Sequence, residues 1–504
     1  MLIKQQSVWS VIASLVLLPL IGSGQQPQEV PPKEVVLKHA NLLLAQGQLK
    51  EAIREYTRAL TLDARFAAAY VNRGIALKEQ GDLDRAFTDF ENALKVDPRN
   101  AQACNGIGVI QAGNGKLEEA VEAYTTAIRI DRRLAEAYYN RGLVFYIQKK
   151  YAAAIQDYGS ALANSPRLSS GESSVPARKT NLAMVYNSRG LARAALSDLG
   201  GALQDYESAI KSDPAYAAAY NNRGNLYDTK RETERAIADY TMMICLNPDG
   251  ADGYYGRGRM LMQKGNLDAA LEDLTRACAR SPGNPYTFAV RGEILALKKD
   301  YAAAIEDYTR ALHLNPRLDM VFHNRGQANR QMRNTRGAFA DFSMAIELNP
   351  KIAAYYRSRA FFLYELQQMP AAISDFTQAV GIEPTCDAYV ARGEAWYFMR
   401  AFKQAAADYD AAVARDPGCA IAWAALGDIH AAAGEPDPAI ADFSKAIGLG
   451  PHESSFYLRR GLALLRIHKD AEAEADFAHS VTLAPGSRPY IEAQKAQIKA
   501  IDRK

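Results

Sequence analysis

The chain has little of the chemistry from which catalytic or metal centres are assembled. Its 504 residues include five cysteines, seven histidines and three tryptophans. The histidines His39, His313, His323, His430, His452, His468 and His479 show no metal-ligand spacing, and neither C-x-x-C nor H-E-x-x-H occurs. No metal and no cofactor is therefore expected. The nearest approach to a phosphate loop, Gly113-Asn114-Gly115-Lys116, has Ile110 five residues before Gly115 and Leu117 after the lysine, where that loop requires Gly and Ser or Thr. Charge of one sign is not in excess either, since 60 Lys and Arg are dispersed among 57 Asp and Glu. A nucleic-acid binder concentrates basic residues on one face, so no nucleic-acid partner is expected. The apolar run from Val8 to Ile21 is interrupted by Ser10, Ser14 and Pro19 and falls short of the roughly 20 residues that span a bilayer.

What the chain does have is a period. Alanine stands at 52, 86, 120, 154, 202, 236, 270, 304, 338, 372, 405, 439 and 473, a spacing of 34 broken by one interval of 48 and one of 33. Twelve residues before each alanine is a glycine, from Gly74 to Gly461, or in two cases Ala40 and Ala360. Aromatic residues sit four before most of these small residues (Tyr70, Tyr138, Phe322, Trp423) and four after the alanines (Tyr56, Phe90, Tyr124, Tyr308). A spacing of four keeps such residues on one helical face. Proline closes eleven of thirteen units, Pro98 and Pro485 among them, and turn residues such as Gly81-Asp82 and Gly265-Asn266 divide each unit, which predicts two helices per unit. Ala64 and Arg132 replace the proline and Leu274 replaces an aromatic, so local looseness is expected there. Units of this length bury their apolar faces only against their neighbours.

The order aromatic, Gly, Leu or aromatic, Ala, aromatic, Ala, Pro over 34 residues resembles the tetratricopeptide repeat, with thirteen units over residues 33 to 487. The resemblance implies an all-α fold, an α-solenoid of stacked antiparallel helix pairs forming a superhelix. It also implies that positions 2, 5, 6, 9, 12 and 13 of each unit, on the first helix, line a concave groove. Those positions hold Asn187, Asn221, Asn222, Asn225 and Asp228, then Tyr255 and Arg259, then His323, Asn324, Gln327 and Arg330. They continue with Arg357, Phe361, Tyr364, Tyr397 and Phe398. Asn offers donor and acceptor together and suits a peptide backbone, Arg259 and Arg330 favour acidic groups, and Tyr and Arg are common interface anchors. Co-chaperones of this family that hold acidic chaperone tails use a clamp of Lys, Asn and Arg that this chain lacks, with Leu37, Gln102 and Gly106 at three of its places. The resulting expectation is a non-enzymatic scaffold or adaptor that binds extended peptide segments or partner proteins. The alternative is a groove receptor for a polysaccharide or small ligand in an envelope assembly.

Outside the repeats lie three short pieces. Residues 1 to 24 read as a secretory signal peptide, with Lys4 before the apolar run and Gly22-Ser23-Gly24 after it. An exported protein, periplasmic or extracellular, is expected, with an uncleaved signal anchor as the alternative and no stable membrane span once the signal is removed. Residues 25 to 32 form a Gln and Pro-rich tether, 169 to 182 an insertion between units 1–4 (33–168) and units 5–13 (183–487), and 488 to 504 a capping helix with Tyr490, Ile491, Ile498 and Ile501 on one stripe. The cysteines Cys104, Cys245, Cys278, Cys386 and Cys419 fall at repeat positions. Stacked helices lie roughly 10 Å apart, beyond the 7 Å or so that a disulfide tolerates, so buried free thiols are expected. Arginine precedes the packing glycine in ten units and aspartate precedes the second-helix aromatic in eleven, which predicts ion pairs within or between repeats.

Overall fold

The computed structural model describes residues 32–165 and 182–501. The leader, the tether as far as Pro31, Pro166 and Pro176, and the insertion as far as Asn181 lie outside the described residues. Every regular element among the described residues is a helix. The chain divides into two compact bodies, one ending at Arg223 and the other starting at Gly224.

The first body holds five helix pairs: α1 (Lys33–Ala45) with α2 (Leu49–Leu62), α3 (Ala67–Gln80) with α4 (Leu83–Val96), α5 (Ala101–Gly113) with α6 (Leu117–Ile130), α7 (Ala135–Ile147) with α8 (Tyr151–Asn164), and α9 (Leu182–Ala195) with α10 (Leu199–Ser212). Helix α11 (Ala217–Thr229) runs from this body into the other. The second body continues with α12 (Thr233–Leu246) and seven pairs. These are α13 (Asp252–Gln263) with α14 (Leu267–Arg280), α15 (Pro285–Leu297) with α16 (Tyr301–Leu314), α17 (Asp319–Gln331) with α18 (Thr335–Leu348), and α19 (Ala353–Glu365) with α20 (Met369–Ile382). There follow α21 (Cys386–Phe398) with α22 (Phe402–Arg415), α23 (Ala420–Ala433) with α24 (Pro436–Leu449), α25 (Ser454–Arg466) with α26 (Asp470–Leu483), and a last helix α27 (Arg488–Ile501). In each body, every pair packs on the next in sequence order.

The repeated small residues act as read from the sequence. A Cβ added at Gly74 would lie 2.9 Å from the Phe90 ring, one at Gly292 2.8 Å from Tyr308 and one at Gly393 2.5 Å from Tyr409. In these pairs an aromatic ring lies flush on a bare stretch of the first helix. The looseness expected at Leu274 is not found: that side chain is fully buried, and its Cδ2 would meet a Cβ at Gly258 at 1.8 Å. A leucine branch takes the space a ring fills elsewhere.

Proline is not what ends the second helices. Helices α2 and α6, which lack it, stop at Leu62 and Ile130, the same point in the repeat as α4 at Val96. The next residue is an aspartate whose carboxylate accepts a backbone N–H two residues on: Asp63 from Arg65 and Asp131 from Arg133, both at 2.8 Å, and Asp97 from Arg99 at 3.1 Å. This side-chain turn competes with helix continuation and supplies the stop. The proline that usually follows adds to a turn already made.

Arginine and aspartate form the expected ladder within repeats. Arg73 and Asp89, Arg141 and Asp157, Arg257 and Asp273, and Arg359 and Asp375 each pair through two N–H···O bonds of 2.7 to 2.9 Å. The same guanidinium reaches the preceding repeat's hydroxyl, Arg73 donating to Thr57, Arg141 to Thr125, Arg325 to Thr309 and Arg460 to Ser444. One side chain therefore locks its own pair and joins it to its neighbour.

Two cysteine expectations are corrected. Cys386 and Cys419 form a disulfide, with Cα atoms 6.8 Å apart. The 10 Å spacing holds between the axes of packed helices, whereas Cys386 opens α21 and Cys419 lies on the connection just before α23, where adjacent repeats approach more closely. Cys245 is exposed rather than buried, while Cys104 and Cys278 are buried free thiols. At the end of the chain, Ile491 and Ile498 of α27 are buried with Leu464, Leu465 and Phe477, but Tyr490 is exposed and does not join that stripe.

Candidate binding face

First helices of successive pairs meet one another, α1 with α3, α3 with α5 and α5 with α7 in the first body, α13 with α15, α15 with α17 and α17 with α19 in the second. Within each body the outward side chains of these first helices share one face, termed the inner face. Its contacts follow a fixed register. Position 9 of one repeat meets position 6 of the next, 31 residues on: Asn72 donates to Asn41, Gln327 to Ser358, and Arg459 to Asp428. Position 5 meets position 6 of the next, as Asn140 donates to Asn105 at 3.0 Å.

In the first body Asn187 is buried and accepts a 2.8 Å bond from Asn222, while Asn221 beside it is half-buried. In the second body Asn225 is exposed and accepts from the Tyr240 hydroxyl at 2.7 Å. Asp228 holds Arg259 at 3.3 Å, and that guanidinium lies 5.8 Å from the centre of the Tyr255 ring. His323 contacts Ser358 through Nε2 at 2.8 Å and Asn324 through Nδ1 at 3.3 Å, with Tyr355 and Phe342 rings at 5.1 and 5.9 Å. Burial among these rings lowers the His323 pKa and favours the neutral ring. Arg330 pairs with Glu365 through two bonds, one of them 2.8 Å. Arg357 is half-buried and makes no ion pair among the described residues. Tyr364 and Phe398 stack edge-on at 6.0 Å, and Tyr397 meets Phe402 at 5.4 Å.

Arg259 and Arg330, read from the sequence as attractors of acidic groups, are thus each already matched by a carboxylate of a neighbouring repeat. Several inner-face residues escaped the sequence reading. Ser358, Glu365, Asp428 and Arg459 are partners in the register, and Glu293 and Glu394 occupy position 9 without any hydrogen bond or ion pair among the described residues. The signal that finds the paired ones is a separation of 31 or 35, not any local motif. A depression of about 180 Å³ beside this face is lined by Ala431, Gly434, Pro436, Ala463 and Arg466, a set with no nucleophile and base. Among the described residues no group of His, Cys, Asp and Glu is placed to hold a metal ion, and no helix is long and apolar enough to cross a membrane.

Models of the repeat match along both bodies: a TPR repeat model at 40–81, 113–148 and 190–230, and tetratricopeptide repeat models at 234–285 and 390–454, at 67–100 and 135–168, and at 217–244 and 287–318. Together they cover more than half of the chain. The chain belongs to the tetratricopeptide repeat family. Solved structures similar to this tetratricopeptide repeat protein include the APC/C hetero-tetramer Cut9-Hcn1, at 13% identity and a TM-score of 0.42, with 86% of this chain and 97% of that one covered. YrrB, described as a TPR protein with an unusual peptide-binding site, is 21% identical with a TM-score of 0.31 and covers 38% of this chain and 92% of its own. Pseudomonas aeruginosa pilF is 22% identical with a TM-score of 0.38, covering 43% and 93%. No curated protein matches the chain.

Proposed function

We propose that this tetratricopeptide repeat protein is a non-enzymatic scaffold that holds extended peptide segments or partner proteins on the inner face of its first helices. The observation that carries the reading is a division of labour. The framework charges recur in nearly every repeat and are consumed internally, as in Arg291 with Asp307, whereas the inner-face positions change chemistry from repeat to repeat: Arg259, Glu293, Gln327, Phe361, Glu394 and Asp428 at position 9. A surface that varies on a constant frame suits recognition. We further propose export, with cleavage after Gly24. The disulfide between Cys386 and Cys419 supports this, because such bonds persist in oxidising compartments and are rare where glutathione keeps thiols reduced.

The test compares capture of envelope-fraction proteins by the full chain and by the triple variant Gln327→Ala, Arg357→Ala and Phe361→Ala. The variant should lose a specific partner while its melting temperature stays nearly unchanged, since each partly exposed truncation costs about 0.5 kcal/mol or less. Ala304→Leu serves as the matched control: it overfills a fully buried contact and should cost about 1 to 3 kcal/mol whether or not anything binds. Retention of glycan without protein, or equal capture by the triple variant, overturns the scaffold reading. Non-reducing mass mapping of the exported chain checks its start and the bridge together.

A further inference from the structure

The inner face of α19 and α21 carries a ledge of exposed apolar side chains. Phe361 is 42% exposed, Tyr397 38%, Phe398 56% and Met399 49%. The rings hold one another in place, Phe361 edge-on to Phe376 at 5.1 Å, Tyr364 to Phe398 at 6.0 Å and Tyr397 to Phe402 at 5.4 Å. An aromatic surface that is fixed before binding loses little side-chain freedom when covered.

Glu394 stands in this ledge, and the register shows what it lacks. One repeat later, Asp428 at the same position 9 is met by the Arg459 guanidinium at 2.6 Å, 31 residues on. The residue 31 after Glu394 is Ala425, too short and too apolar to answer a carboxylate. The one guanidinium here is bonded to Asp428 and acts on Glu394 only at a distance, and the place of a second cation is taken by a methyl group. Glu394 is solvent-exposed, and partial desolvation by its surroundings raises its pKa against the pull of Arg459, so its carboxylate is open to a partner. Two other inner-face cations of this body are already taken, Arg259 by Asp228 and Arg330 by Glu365, and Arg357 stands one turn before Phe361 on α19.

We propose that this ledge docks a partner segment carrying a lysine or arginine beside a bulky apolar residue, the cation passing over Ala425 to the Glu394 carboxylate and the apolar side chain covering Phe361 and Phe398. The inference rests on the scaffold reading and names the chemistry of its partner. The charge complementarity is specific: an unmatched carboxylate flanked by aromatic faces favours a cation twice, by ion pairing and by attraction to the ring faces. An acidic segment meets one like charge at Glu394, and its only unpaired partner on α19 is Arg357.

A random dodecapeptide library displayed on phage, selected against the immobilised full chain, tests this. Wild type should enrich segments with Lys or Arg next to Leu, Ile, Phe or Trp. A peptide so selected should bind Glu394→Gln roughly tenfold or more weakly, the size expected for loss of one charge-assisted contact. Glu394→Lys should turn the selection toward Asp and Glu, and Phe398→Ala should weaken the apolar preference alone. Thermal melts of all three variants separate these effects from misfolding, and the charge reversal keeps a readout even if one variant is less stable. Enrichment without a basic preference, enrichment of acidic segments by wild type, or basic selection unchanged in Glu394→Gln overturns the inference and leaves the scaffold reading standing. A Glu394-dependent dimer in sedimentation equilibrium assigns the ledge to a second copy and overturns it as well. No enrichment of any segment counts against both readings.

Discussion

At the scale of single residues, the exceptions to the Arg–Asp ladder explain it best. In the third repeat both members are gone together, with Ile107 and Ala123 at their places, and in the first they become His39 and Glu55 at 3.8 Å. In the twelfth the arginine is Leu426, yet Asp442 is not left alone, because His430 reaches it at 2.8 Å from one turn further along the helix. A buried carboxylate without a partner costs more than the pair contributes, so partners are lost or replaced jointly. Asp307→Ala alone should therefore cost about 3 kcal/mol by leaving Arg291 unmatched, while Arg291→Ile with Asp307→Ala should cost clearly less than the sum of the single changes. Urea melts of the double-mutant cycle check this, and additive costs would show that the pair is not coupled. A second charge acts through pH. Burial pushes Asp428 up to about 6 in spite of Arg459. A carboxyl whose folded pKa lies above its unfolded value contributes stability that is full below about pH 4 and is lost as pH rises through 6. Asp428→Asn should thus gain in melting temperature relative to wild type between pH 4.5 and 7.5, and a difference that shrinks over that range refutes the assignment. The ladder was legible in the sequence because its two positions repeat. The inner-face pairs were not, because they join positions whose residues change between repeats and show only as separations of 31 or 35.

At the scale of the helix pair, one backbone requirement recurs that residue type conceals. The turn between paired helices always contains a residue with positive φ: Gly47, Gly81, Gly115, Gly265 and Gly434 in five repeats, but Lys149, Ser197, Arg231, Lys299, Arg333, Gln367, Arg400 and His468 in eight others. The glycines announce this turn in the sequence, whereas the side chains at the other eight sites look like ordinary surface residues. Left-handed backbone costs an L-residue about 1 kcal/mol, so these eight turns hold mild strain against the packing of their helices. Lys299→Gly should accordingly stabilise the chain by about 0.5 to 1 kcal/mol, and Gly265→Ala should destabilise it by about 1 kcal/mol. Opposite signs in matched chemical melts are the check; destabilisation by both would mean that the lysine's own contacts outweigh its backbone. The helix stops give the reverse lesson. Proline was the visible signal, but where an aspartate stands at the stop its side chain makes the turn, as Asp63 and Asp131 do where no proline follows.

For the whole molecule, the repeat order was readable from one end of the array to the other because each 34-residue unit states the same packing rule. The helix after the last repeat was read from its own apolar stripe, but where two repeats are bonded the period could not state. The carboxyl end is closed by α27, whose Ile491 and Ile498 cover Leu464, Leu465 and Phe477. A chain stopped at Gly486 should lose about 3 kcal/mol from its last pair, on the usual worth of two buried isoleucines, and should scatter more light on heating. Equal stability and solubility of the shortened chain would remove any capping role from α27. The disulfide between Cys386 and Cys419 escaped the reading because helix spacing says nothing about the chain between helices. Its consequence is mechanical. A stack held by nearest-neighbour contacts yields repeat by repeat when its ends are pulled, but the stretch between these two cysteines, 33 positions apart, cannot contribute length while the bond is intact. In a single-molecule stretching experiment the fully unravelled chain should be about 110 Å shorter when oxidised than when reduced, at roughly 3.4 Å per residue. The last steps to appear under reductant should carry that missing length, so that one covalent link makes this stretch of the array a stop against tension.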